Sequence, residues 1–256
     1  MSELIDSSKE FSGLRVLVTG GSRGIGGSIA QRLIGGGATV AVTARAKHEQ
    51  TPAKATFIEG DLRSKDGVEA IAEKAIKTLG GLDILVNNAG AARVHLPGSS
   101  AISDEEWLDS LNINLLAVVR MTNATLSALK SSKAAAIVNI SAVPRNAAPP
   151  PLVHYVAAKA AMNAYTLSVA AELAPAKIRV NAVTPGGVIT PGGDAVRKTI
   201  TDAMGISPDA LLSKIPLGRF GLPEDLSEFV ALVVSPTRGS WITGQNIYID
   251  GGMSLA

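Results

Sequence analysis

The chain has no cysteine, which excludes disulfide frameworks, thiolate nucleophiles and cysteine-ligated metal sites. That absence fits a reducing, cytoplasmic compartment. Aromatic residues make up only 4% of a composition that is 46% hydrophobic, so Ala, Val, Ile, Leu and Gly must supply the core. Small aliphatic residues of this kind suit helices packed closely on a buried parallel sheet. No stretch approaches the roughly 18 uninterrupted apolar residues of a membrane span. Met1 to Phe11 carries Glu3, Asp6, Lys9 and Glu10 and lacks the basic-then-apolar order of a secretory leader. A charge excess is missing too: 24 Lys plus Arg stand against 22 Asp plus Glu. The basic residues are scattered, so no footprint for nucleic acid emerges. His48, His95 and His154 have no metal-like spacing, and no metal site is expected.

What is present is a regular alternation. With 256 residues the chain can bury one substantial core, and we expect a single domain over 13–256 behind a short tail, 1–12. Short Val- and Ile-rich runs at Leu14–Thr19, Ala38–Thr43, Ala55–Ile58, Leu82–Val86, Ala136–Ile140, Ile178–Val183 and Asn246–Ile249 read as strands. Helical patterns at Ile25–Ile34, Lys65–Leu79, Asp104–Lys130 and His154–Leu173 separate most of them. Seven buried strands alternating with helices imply a doubly wound, seven-stranded parallel α/β sheet, Rossmann-like, covered on both faces. The Pro- and Gly-rich stretch Thr184–Pro216, with a short helix near Pro208–Lys214, is the irregular region. A connection of that length inside a compact domain is commonly a lid, and a substrate-covering loop is expected over about 186–216.

Between the first strand and first helix stands Thr19-Gly20-Gly21-Ser22-Arg23-Gly24-Ile25-Gly26. A backbone without Cβ can turn sharply and approach a pyrophosphate, whose charge the free N–H groups and the helix dipole stabilise. A dinucleotide site is therefore expected at Gly20, Ser22, Arg23, Gly24, Ile25 and Gly26. After the second strand, an acidic residue suits the ribose hydroxyls of NAD, whereas an arginine suits a 2′-phosphate. This chain has Arg45 there, with Arg23 as a second cation, so NADP(H) is favoured over NAD(H). Asn87-Asn88-Ala89-Gly90 follows the fourth strand and lets backbone approach the cofactor.

Tyr155 and Lys159 lie at i and i+4 of a helix and share one face. An adjacent ammonium and a positive nicotinamide would favour the phenolate of a tyrosine that ordinarily ionises near pH 10. With the glycine turn and the Asn-Asn-Ala-Gly tetrad, this pair makes the chain resemble the short-chain dehydrogenase/reductase family, in its 3-oxoacyl-acyl-carrier-protein-reductase-like branch, over nearly everything from Leu14 to Gly252. The resemblance implies hydride transfer between nicotinamide and a carbonyl or alcohol, with Tyr155 as general acid or base and Lys159 holding the nicotinamide ribose. It implies adenine contacts at Asp61 and Leu62, and cofactor contacts at Asn88, Ala89 and Gly90. It also assigns Pro185, Gly186, Val188 and Thr190 to the nicotinamide and pyrophosphate side, and Asn114, with Asn112 as the alternative, to a water beside the lysine.

The family serine stands thirteen residues before the tyrosine, a position held here by Ala142, while Ser141 lies fourteen before. One extra residue in the proline-rich loop up to Val153 would let Ser141 take the role of orienting the substrate oxygen; otherwise the hydroxyl is missing. An alternative reading follows, a dinucleotide-binding regulatory protein with weak or no turnover. The resemblance further implies a homotetramer or homodimer built on the Ala-rich helices at Asp104–Lys130 and His154–Leu173, acting on a small carbonyl or alcohol with no nucleic acid or membrane partner.

Overall fold

The structure, a computed structural model, describes residues 6–142 and 149–255, the side chain of Pro208 aside. Seven strands, β1 (Arg15–Thr19), β2 (Thr39–Ala44), β3 (Thr56–Glu59), β4 (Ile84–Asn87), β5 (Ala136–Ile140), β6 (Arg179–Pro185) and β7 (Asn246–Ile249), form one sheet. Their spatial order is β3-β2-β1-β4-β5-β6-β7, and every pairing is parallel. The helices are α1 (Gly24–Gly35), α2 (Lys65–Leu79), α3 (Asp104–Leu111), α4 (Ala117–Lys130), α5 (Val153–Leu173), α6 (Pro191–Met204), α7 (Pro208–Leu212) and α8 (Pro223–Val234).

Period-two alternation divides the core into two layers. Val16 and Val18 of β1, Ile84 and Val86 of β4 and Val138 of β5 pack with Ile29 and Leu33 of α1 and Leu226 and Val230 of α8. Leu17, Leu85 and Ile137 point the other way, onto Ile71 of α2, Met121 of α4 and Val169 of α5. Each fully buried Leu, Ile or Val contributes about 1.5–3 kcal/mol, and both faces are covered, as a parallel sheet requires. The chain order reverses between β1 and β4, so a crevice opens beyond their carboxyl ends. Among the described residues, no helix is long and apolar enough to cross a membrane.

Three expectations need correction, and one helix was not anticipated. The stretch Thr184–Pro216 is largely helical: Thr190 caps α6 by accepting from Gly193 N at 3.0 Å, Pro191 occupies its first turn, and Gly205 ends it at φ 62°. Its Pro and Gly mark helix ends, not a loop. A further helix, α8, starts at Pro223 with Glu224 and Asp225 in its first turn. The long helix expected over Asp104–Lys130 is interrupted by a π-helical segment, Asn112–Leu116. Residues 6–12 are not a loose tail, because Phe11 is fully buried and Glu10 meets Arg238 at 2.7 Å.

Arg15 and Asp83 join the starts of β1 and β4. The Asp83 carboxylate accepts from Arg15 N at 2.9 Å, Arg15 Nε at 2.8 Å and Ser132 Oγ at 2.6 Å. Burial would raise this carboxyl, but the hydrogen bonds from Arg15 and Ser132 outweigh it and hold the group below the ordinary carboxylate range. A depressed folded-state pKa stabilises the fold above the unfolded value near 3.9 and loses that contribution as pH falls through the folded one. Asp83→Ala should therefore cost about 2–3 kcal/mol at pH 7, measured by urea unfolding. The gap between variant and parent should narrow steadily below about pH 4; a gap independent of pH would refute the assignment.

Candidate active site

The glycine turn is locked to the end of β4 by one side chain. Asn88 Nδ2 donates to Thr19 O at 3.0 Å and to Gly20 O at 3.1 Å. Thr19 Oγ1 in turn accepts from the backbone N–H groups of Asn88 and Ala89 at 3.0 and 3.1 Å. Gly20 and Gly24 sit at φ 64° and 57°, where a side chain would be strained. A Cβ on Gly26 would lie 2.3 Å from Asn88 Nδ2 and 2.4 Å from Gly20 O, so this glycine is required by contact. The Asn88 amide shapes the turn. Thr19, which the sequence reading left unassigned, is its partner.

Beyond this lock lies a cleft of about 550 Å³, lined by Gly20, Ser22, Arg23, Thr43 and Arg45, by Asp61 and Leu62 after β3, and by Ala89 and Gly90. Lys47, His48 and Arg63, none of them singled out from sequence, line it too. Arg23 and Arg45 thus face one space from two different connections, the β1–α1 turn and the segment between β2 and β3. Thr43 Oγ1 is buried without a hydrogen-bond partner at its wall. The volume suits a cofactor-sized ligand, the glycines leave room for backbone approach, and the cations match an anionic one. Ile25, partly buried, packs against the core layer of α1 and α8.

Lys159 is buried, and its Nζ donates to Ile140 O at 2.7 Å. A Cβ placed on Gly90 would come within 3.4 Å of that Nζ and 2.9 Å of Asn114 Oδ1, so lysine, asparagine and cleft wall meet at one point. Burial pushes the Lys159 ammonium down to about 8. Burial also raises the half-buried Tyr155 phenol above its ordinary range, opposite to the lowering expected beside a cation and a bound nicotinamide. In the unliganded site burial thus disfavours both charged forms, while an ammonium titrating at about 8 still carries its charge at neutral pH.

Asn114 is fully buried in the π-helical segment. Its Oδ1 accepts from Ala91 N at 3.0 Å and its Nδ2 donates to Ala91 O at 2.9 Å and Ser110 O at 3.1 Å. The side chain clamps the loop after β4 to the π-helical segment. Asn112 instead accepts from Arg120 at 3.2 Å. Ser141 ends β5 with its N–H donated to Val183 O at 2.8 Å, and its Oγ is buried without a partner. The segment that would carry the extra residue, 143–148, lies outside the described residues.

After β6, Gly186 packs on Asp250, where a Cβ would fall 2.7 Å from its Cα. Val188 bridges to Gly221 and its carbonyl accepts from Arg197 at 3.0 Å. Thr190, the cap of α6, brings its methyl to within 3.5 Å of a Cβ built on Gly24, so Pro185–Thr190 reaches the glycine turn. His95 has a side chain only 14% exposed. Its ring stands edge-on to buried His154, 5.1 Å between centroids, and its Nε2 lies 3.3 Å from Glu106.

Residues 20–254 match a family model described as enoyl-(acyl carrier protein) reductase. The chain belongs to the short-chain dehydrogenase/reductase family. It is similar to the 3-oxoacyl-(acyl-carrier-protein) reductases of Staphylococcus aureus (strain N315), 36% identical over 93% of this chain and 97% of that one, and of Vibrio harveyi, 35% identical over 96% and 99%. Among solved structures, ligand-free Thermoplasma acidophilum aldohexose dehydrogenase superposes with a TM-score of 0.86 at 31% identity, covering 97% of this chain and 96% of that one. A short-chain dehydrogenase from Burkholderia cenocepacia in complex with NADP gives 0.84 at 32%, covering 96% and 100%. This family member is an NAD(P)-dependent oxidoreductase, and the comparisons lend no support to a binding protein without turnover.

The lock makes a direct prediction. Gly26→Ala should displace the Asn88 amide, weaken NADPH binding at least tenfold in a fluorescence titration and lower the thermal midpoint by several degrees. Unchanged affinity in a folded variant would show that the turn tolerates a Cβ.

Proposed function

We propose that this oxidoreductase reduces a carbonyl at the expense of NADPH, with Tyr155 as the proton donor. The observation that carries the reading is the buried Lys159 Nζ beside Gly90, on the wall of the cleft and one helical turn from Tyr155. Bound nicotinamide supplies the hydride. Tyr155 gives its proton to the substrate oxygen, Ser141 Oγ orients that oxygen, and Lys159 holds the nicotinamide ribose and stabilises the phenolate left behind, which takes its next proton from solvent. Burial keeps the Tyr155 phenol protonated, the state a proton donor to a carbonyl needs, which favours reduction. Asn114 acts by holding the Ala91 backbone in the cleft wall.

Preference for NADP(H) over NAD(H) rests on Arg45 and Arg23 facing the same cleft, without an acidic residue at the end of β2. Asp61 and Leu62 flank the adenine, and Ala89, Gly90, Pro185, Gly186, Val188 and Thr190 form the remaining backbone wall. The helical region 186–216 covers the substrate. A 3-oxoacyl thioester is the substrate class suggested by the curated relatives, and acetoacetyl-coenzyme A is the probe to try first. The outer stripe of α5, with Ala157, Ala160, Ala161, Ala164, Leu167 and Ala171 exposed, supports assembly into a homotetramer or homodimer, working in the cytoplasm.

Tyr155→Phe should reduce turnover at least a thousandfold while NADPH still binds; retained turnover would end this reading. Arg45→Ala should weaken NADPH about ten- to a hundredfold and leave NADH affinity nearly unchanged, as fluorescence titrations will show. Because Lys159 carries its charge only below about pH 8 in the unliganded protein, NADPH affinity should fall as pH rises through that value. Lys159→Met should bind weakly with a flat profile over the same range.

A further inference from the structure

A second set of buried polar groups lies behind the reacting pair. Asn87 Nδ2 donates to Asn139 Oδ1 at 2.9 Å, Asn139 Nδ2 donates to Thr166 Oγ1 at 2.9 Å, and Thr166 Oγ1 donates to Met162 O at 2.8 Å. The three residues are at most 2% exposed. The chain runs head to tail from β4 through β5 into α5, so the central asparagine and the threonine each accept once and donate once. Loss of any member leaves a buried amide or hydroxyl unpaired. Burying two amides in an otherwise aliphatic layer is not needed for packing, since Ile137 and Leu85 fill equivalent strand positions beside them.

The placement of Thr166 matters more than its burial. Tyr155, Lys159, Met162 and Thr166 are spaced by four, three and four residues and fall in one stripe along α5. Consecutive residues of β5 hold that stripe at two points: Ile140 O accepts from Lys159 Nζ at 2.7 Å, and Asn139 Nδ2 binds Thr166. When Lys159 turns to the ribose of a bound cofactor, the first tie is weakened and the second remains.

We propose that Asn139 and Thr166 are positioning residues: their hydrogen bond fixes the rotation and register of α5 on β5, and so the aim of Tyr155 and Lys159 into the cleft. The inference rests on the reading of that pair as the reacting groups. Misplacement of reacting groups by about an ångström can lower rate on the order of a hundredfold, so a single hydrogen bond at this point is enough to matter.

The test compares Thr166→Val, of matching shape without the hydroxyl, with Thr166→Ser, which keeps it. Each is titrated for tyrosinate by ultraviolet absorbance, saturated with NADP+, with the matching Tyr155→Phe protein subtracted. The expected result is a shift of the Tyr155 titration by about half a unit or more in Thr166→Val, a tenfold or greater fall in kcat on any carbonyl the parent reduces, and a return of both to parent values in Thr166→Ser. A Thr166→Val protein with lower thermal stability but parental titration and kcat would overturn the proposal. Equal damage in Thr166→Ser would do so as well, by assigning the effect to the methyl group. Should Thr166→Val fail to fold, Asn139→Ala is read in the same way. Turnover surviving in Tyr155→Phe would instead defeat the underlying reading.

Discussion

The amide of Asn88, donating to the carbonyls of Thr19 and Gly20, is the contact from which the site is built. It joins the ends of β1 and β4, the two strands between which the chain order reverses, and holds the turn open where a ligand must enter. The glycines are consequences of that bond as much as of the ligand: Gly26 has no Cβ because the amide already fills the space. Backbone N–H groups held in this way need no reorganisation when a phosphate arrives, which is how a glycine turn gains affinity.

A second constraint is dielectric. Lys159 and Tyr155 stand in a low-polarity wall where burial disfavours both ammonium and phenolate. An anionic ligand in the cleft would offset part of the penalty on the ammonium, so ligand binding and the charge of Lys159 are coupled. Lys159 meanwhile has a backbone carbonyl as its resting partner, and Asn114 keeps the adjoining loop in place. The Asn87–Asn139–Thr166 chain holds the same stripe of α5 to β5 two turns further along the helix.

Much of this was legible from residue patterns. All seven strands, their parallel class, the glycine turn and the Tyr155/Lys159 pair follow from local signals of period and spacing, because each depends on residues close in sequence. The misses have a common origin. Pro191 and Gly205 were read as breaks when they are the start and stop of α6, and Pro223 likewise opens α8. Proline at a first turn and glycine past a last one are boundary signals with a direction, and reading them only as irregularity loses the helix between. A sequence does not say where an amide's hydrogen bonds go, and it is the structure that shows Asn88 and Asn114 clamping backbone.

By itself the sequence determined the class of the fold, the family, and the chemical types available at the cleft, since periodicity and motif spacing are properties of the chain alone. The tertiary structure decided which groups meet. That Lys159 touches Ile140 and stands beside Gly90, that Arg23 and Arg45 face one space, and that Phe11 belongs to the core are all contacts between residues far apart in sequence. Such contacts, and the burial that shifts the phenol and the ammonium, exist only once the sheet has brought distant segments together and removed water from between them.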